Sequence, residues 1–330
     1  MQVVSVKSKQ EKQDFHDIGR LIYKDNKNWV CPLDIQIENI FNPNSNPFYK
    51  HGEAQRWVLE DEKGALIGRI AAFIDTNKAY TFQQATGGVG FFECINSSDA
   101  AFLLFDTACD WLKSKGMKAV DGPINFGEND NYWGLLVEGF EYSPGIGMPY
   151  HKQYYQSLFE SYGFKTYYKQ SAFHLDITKP FPKRFWKIAA WIAKKKTYSF
   201  EHFTFENKTK YTEDLIEVYN TAWKEFKKDF VPLMIEEVSP MLEEIKSIID
   251  ERFIWYAYSE DKPIAFLIML PDINQILSKL NGKINLWNKF KFLFYKQRKT
   301  ITRSRILVMG VSPKFQKAGI ESAIFWHLNE

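Results

Sequence analysis

The stretch "GVSPKFQKAGIESAIF", Gly310 to Phe325, follows the apolar run "RILVMGV" and passes into a helical pattern. A strand that turns through glycine into a helix leaves several backbone amides unpaired at the positive end of the helix dipole, where an anion satisfies both. Gly319 has no Cβ to obstruct an approaching phosphate, and Lys314 and Lys317 add positive charge. The plainer reading is an ordinary helix start with a glycine for its turn. The rest of the chain has to choose between them.

Working outward, the chain proves to be duplicated. "NWVCPL" (Asn28–Leu33) is echoed by "DFVPL" (Asp229–Leu233), an offset of 201 between Val30 and Val231. "RWVLEDEKGALIGRIAAFID" (Arg56–Asp75) parallels "FIWYAYSEDKPIAFLIMLPD" (Phe253–Asp272), an offset of 197 between Asp75 and Asp272. Both members of the second pair read as two apolar strands about a charged turn carrying Gly or Pro, a hairpin. Two agreeing offsets point to one duplication.

The first copy reads as strand ("VVSVKS"), helix, hairpin, strand ("GVGFFECI") and a helix over Asp99–Lys115, with serines at its entry and Gly116 at its exit. A strand near "KAVDGPI", a helix through "QYYQSLFESYGF" and closing strands near "KTYYKQSAFHLDI" complete it. The second copy begins at "SFEHFTFE", with a helix from about Thr212. The domains expected are 1–178, a basic amphipathic linker helix over 179–198 that clamps the two copies, and 199–330. The class is α/β, a mixed sheet that begins antiparallel.

A length of 330 residues suits two domains, and 45% apolar residues suffice for real cores. A formal charge of +3 argues neither for nor against nucleic acid. Cys31, Cys94 and Cys109 cannot all pair and form no metal pattern, as expected of reduced thiols. Six histidines show no metal spacing either, and His151 and His174 read as structural. Without a signal-peptide core or an apolar run of about 18 residues, the chain reads as soluble and cytoplasmic.

In its strand–helix context, the loop resembles motif A of the GNAT acyltransferase superfamily, Gln/Arg-x-x-Gly-x-Gly/Ala, at Gln316, Lys317, Ala318, Gly319, Ile320 and Glu321; "VSPKFQ" is similar to the family's lead-in. The resemblance implies that amides from Gln316 to Ser322 hold the pyrophosphate of acetyl-CoA or another acyl-CoA. It implies further that Leu307, Val308, Met309, Gly310 and Val311 run beside the pantetheine arm, Gly310 leaving room for it. A backbone amide near Met309–Val311 becomes the oxyanion donor. Glu321 departs from the motif: its carboxylate suits the dipole and repels a pyrophosphate. The first copy has "CINSSDAAFLL" at the equivalent turn and Phe159 where the family commonly places an acidic Tyr, so it is expected to do no chemistry and to shape the acceptor site. Across most of its length the chain resembles uncharacterised bacterial tandem-GNAT proteins.

Other stretches carry two readings each. "GPINFGENDNYWGLL" (Gly122–Leu136) is either a surface loop of Asx turns or an acceptor wall presenting Asn125, Glu128, Asp130 and Trp133. Glu93, within an apolar strand, lies on a solvated face or is buried with a raised pKa; the favoured reading is the solvated face, with Glu93 and Asp130 kept as candidate bases. Lys283–Arg305 holds eight basic residues and no acidic ones. Either its aromatics pack on the domain, or it is a basic aromatic lid meeting an acyl chain or an anionic membrane. Interleaved basic and aromatic residues also stack single-stranded nucleic acid, but no recognition motif accompanies them.

The expected function is N-acyl transfer from an acyl-CoA to an amine, without a metal. A binding protein with a decayed site, and an aminoacyl-tRNA-dependent peptidyltransferase built from paired GNAT-like domains, are the alternatives. Shifting the first copy's end, near Asp176 to Ile177, by 197 to 201 residues places the second copy's end near 373 to 378, about 45 residues beyond Glu330. The natural chain is therefore expected to be longer.

Overall fold

Strand order repeats. The computed structural model describes residues 1–127, 131–224, 230, 232–244, 246 and 248–329. Along the chain come β1 (Gln2–Ser5), α1 (Lys9–Ile22), α2 (Asp34–Ile40), β2 (Gly52–Glu60), β3 (Leu66–Asp75), the single turn α3 (Thr76–Ala79), β4 (Thr86–Cys94), α4 (Ser98–Ser114), β5 (Ala119–Asp121) and α5 (Tyr155–Tyr162). Then follow α6 (Lys183–Ala193), β6 (Ser199–His202), α7 (Lys208–Trp223), α8 (Ile235–Glu244), β7 (Ile254–Ser259), β8 (Lys262–Pro271), the turn α9 (Asn274–Leu277), α10 (Leu286–Gln297), β9 (Ser304–Val311) and α11 (Ile320–Asn329).

One sheet runs β1-β2-β3-β4-β5 and the other β6-β7-β8-β9. Every pairing is antiparallel except β4 with β5. The hairpins β2–β3 and β7–β8 are the two stretches whose 197-residue offset marked the duplication. Each last antiparallel strand carries a bulge, one extra residue in β4 beside Ile70 and one in β9 at Leu307.

The chain divides into two units, Met1–Lys169 with Ile273–Ile301, and Gln170–Asp272 with Thr302–Glu330. In the first, Phe92, Phe105, Tyr155 and Phe159 pack the sheet against α4 and α5, while Phe15, Ile18, Ile37 and Val58 pack its other face under α1 and α2. Burial raises the Glu38 carboxyl, but His16 and a bidentate Arg56 outweigh it and hold the group at about 2, pinning α2 to β2. In the second unit, α6 lies along α11 over Ala257, Ala265 and Leu267, and α7 covers the opposite face through Tyr211, Leu215 and Val218.

Two departures from expectation stand out. No strand forms over 165–178, and Phe173 is 95% exposed. Alternating apolar residues supply a strand with a face but not with a hydrogen-bonding neighbour. The insert between β8 and β9 joins the first unit: the Arg20 guanidinium donates to Asn281 O at 3.2 Å and the Asp34 amide to Gly282 O at 2.8 Å.

Candidate functional site

The second unit carries an open cleft of about 510 Å³, lined by Met309, Gly310 and Val311 of β9, by Gln316, Lys317 and Glu321, and by Ala222 and Trp223 at the end of α7. β9 has β8 on one side only among the described strands, so alternate amides of Met309–Val311 point away from their partner strand. The loop after β9 is locally tied. Ser312 N–H donates to Ile264 O at 2.8 Å, and the Gln316 amide side chain reaches back to Val311 O at 3.3 Å.

Lys317 and Gly319 both take positive φ, 64° and 80°. A lysine in the left-handed region carries strain of the kind that clusters at ligand clamps. The reversal it produces leads into α11, whose first-turn amides at Ile320, Glu321 and Ser322 have no acceptor among the described residues, as at any uncapped helix start. The turn therefore presents amides, one lysine and one carboxylate to the cleft.

Of the residues expected here, Met309, Gly310, Val311, Gln316, Lys317 and Glu321 meet at the cleft. Leu307, Val308, Ala318, Gly319, Ile320 and Ser322 do not line it. Val308 packs towards Phe266, and Ile320, the first residue of α11, is fully buried in the core. A Cβ on Gly310 would meet Phe266 at 2.7 Å and Trp223 at 2.8 Å, so its smallness also serves packing of β9 against α7. Gly319 is filled from behind as well, since a Cβ falls 2.4 Å from Ile192 Cδ1 of α6. Ala222 and Trp223 were not legible in advance. The only signal was the Tyr219–Trp223 pair one helical turn apart, whose rings stack at 4.5 Å.

The first unit closes the corresponding place. β4 and β5 pair only from Thr86 to Gly88; beyond them Ile124 N–H donates to Val89 O at 2.8 Å. A Cβ on Gly90 would sit 1.9 Å from Ile124 O, so the backbone of 122–126 occupies the flank of the strand. Asn125 is buried there, with its Oδ1 unpaired, while the Trp133 indole N–H donates to the Tyr168 hydroxyl at 3.1 Å. Glu128 and Asp130 lie outside the described residues.

Glu93 is not on a solvated face. It is 7% exposed, accepts from Tyr155 O–H at 2.7 Å, and has Arg69 Nη2 3.5 Å away. The bulge at Phe91–Phe92 turns its side chain inward against the simple alternation read from sequence. Burial raises its carboxyl above the ordinary value, with Arg69 the largest opposing influence. His151 is half-buried, accepts from the Leu136 amide at 3.0 Å, and is pushed down to about 4 by desolvation, so it stays neutral. No cluster of three His, Cys, Asp or Glu fit for a metal, and no helix long and apolar enough to cross a membrane, occurs among the described residues.

No protein-family model matches the chain. It is 29% identical over 307 residues to Protein YghO of Escherichia coli, covering 92% of this chain and 76% of that one. It is 29% identical over 323 residues to the bacterial ceramide synthase of Caulobacter vibrioides, covering 96% and 82%. Among solved structures it is similar to a GCN5-related glucosamine N-acetyltransferase region of a fungal multi-domain GH3 β-N-acetylglucosaminidase, at 11% identity and a TM-score of 0.51. That likeness spans 99% of this chain and 33% of the longer fungal one, and it shows the fold alone. Read with two sheets of one strand order, it makes the chain a tandem protein of GNAT fold.

Proposed function

We propose that the chain is an acyl-CoA-dependent N-acyltransferase whose donor lies in the cleft of the second unit. The observation that carries the reading is the turn itself. Lys317 and Gly319 take the left-handed region just before the unpaired first-turn amides of α11, and Lys317 and Glu321 line the cleft together with Met309, Gly310 and Val311 of β9. Such a turn suits a pyrophosphate, and an edge strand suits an extended amide-bearing arm. In the reaction, an amine nitrogen attacks the thioester carbonyl. The C–N bond forms, the C–S bond breaks, and the proton lost by the amine leaves with the thiolate. An outward amide among Met309–Val311 supplies the hydrogen bond that stabilises the oxyanion.

The name of the Caulobacter relative supports a lipid amine as acceptor. Calorimetry with acetyl-CoA and palmitoyl-CoA tests the donor, and thiol release with a long-chain amine tests the acceptor. The reading fails if neither thioester binds. Binding without thiol release in the presence of amines would favour a non-catalytic protein, the alternative that Glu321 in the cleft supports. Glu321→Gln is expected to tighten CoA binding about two- to five-fold, the scale of one charge at a helix end, measured in the same calorimeter. A weaker complex would instead give that carboxylate a contact of its own.

A further inference from the structure

Helix α10 presents an apolar stripe outward. On a helix turning about 100° per residue, Leu286, Trp287, Phe290, Leu293 and Phe294 fall within an arc of roughly 120°. All five are between 48% and 72% exposed. Of the two readings of the insert, packing on the domain fits Phe292 and Tyr295, which are half-buried, and not Trp287, Phe290 and Phe294, which are exposed. Lys289 borders the arc on one side and Lys291 and Arg298 on the other, the latter two over the rings of Trp287 and Phe294 at 5.9 and 4.5 Å. Seven basic residues and no acidic one lie between Ile273 and Ile301.

The helix is mounted, not tethered. Asn285 caps it by accepting from the Asn288 amide at 2.8 Å, and buried Asn288 donates to Leu280 O at 3.0 Å and Lys283 O at 2.7 Å. Asn274 donates to Pro144 O at 3.1 Å, and the Arg20 and Asp34 contacts fix the preceding turn. The stripe therefore faces solvent as a fixed surface.

From this geometry we infer that α10 docks the protein on an anionic lipid surface. A helix with an apolar arc between two basic borders lies in the plane of a bilayer interface, its rings among the acyl chains and its cations at the headgroups. Protein interface cores are instead depleted of lysine, so the basic borders favour lipid over a protein partner. Docking is independent of the acyl-CoA reading. If both hold, a lipid amine reaches the enzyme from the surface on which it rests.

The test is flotation of the chain with phosphatidylcholine vesicles, with and without one-third phosphatidylglycerol, at low and high salt. At least about tenfold more protein is expected on the anionic vesicles at low salt, falling as salt rises. Phe290→Glu/Leu293→Glu should reduce binding to the phosphatidylcholine background, and Lys289→Glu/Lys291→Glu should weaken it and flatten the salt dependence. Circular dichroism and CoA calorimetry on each variant show whether folding and the donor site are intact. Absence of flotation by the folded wild type, or undiminished flotation of folded Phe290→Glu/Leu293→Glu, overturns the proposal. So does a wild-type dimer by sedimentation that this variant dissolves, because the stripe would then be covered by a second copy.

Discussion

Arg69→Met is expected to destabilise the first unit by about 3–5 kcal/mol, the cost of leaving a buried carboxylate without its counter-charge. Arg69 is 6% exposed, donates to Phe15 O at 2.7 Å and lies 4.7 Å over the Phe15 ring, so the guanidinium also ties β3 to α1. Glu93→Gln should cost less, because Tyr155 keeps an acceptor and no charge is stranded. Arg69→Met/Glu93→Leu should recover part of the loss. Urea unfolding of the three variants checks this; a cost below about 1 kcal/mol for Arg69→Met would contradict a buried pair. The pH dependence has a defined sign. Because the folded carboxyl titrates above its ordinary 4.5, its stabilisation is complete below that value and is lost as pH rises through the folded value. Relative to Glu93→Gln, the wild type should therefore weaken with rising pH in that window.

Gly319→Val is expected to abolish CoA binding and to destabilise the second unit by roughly 2–4 kcal/mol, from a left-handed β-branched residue and an overpacked contact. The positive φ of 80° and the 2.4 Å approach to Ile192 predict the stability loss without any ligand. Gly319→Ala/Ile192→Val separates the two causes by removing Cδ1 of Ile192. Stability should partly return in the double variant, measured by thermal melting, while CoA affinity in calorimetry should stay low if the turn holds the pyrophosphate. Unchanged CoA affinity in the folded Gly319→Ala protein would remove the site from this loop.

Much of the fold was legible where local pattern and long-range structure agree. The hairpins at Arg56–Asp75 and Phe253–Asp272 carry their own turns and their own alternation, and in each the two strands pair antiparallel as read. Ser97 capped α4 as expected, accepting from the Ala100 amide. What failed depended on a neighbour the local sequence does not name. Phe173, Leu175 and Ile177 alternate like a strand but have no partner strand among the described residues. Glu93 alternates outward until a bulge one step away reverses it. At the candidate site, Gln316 to Glu321 are contiguous and so were visible together. Trp223 arrives from another helix and was not. Gly310 and Gly319 were singled out, but sequence could not show that Phe266, Trp223 and Ile192 already stand against them.

The route of the chain through Ile273–Ile301 also sets an order of assembly. A polypeptide is made from its N-terminus, so β1–β5 and α1–α5 of the first unit emerge by Lys169, while Asn281 and Gly282, which bind Arg20 and Asp34, follow about a hundred residues later. At ordinary synthesis rates that is a delay of roughly 5–20 s. For that interval the nascent first unit holds an unfilled seam beside Cys31 and Pro32, the residues Gly282 finally abuts.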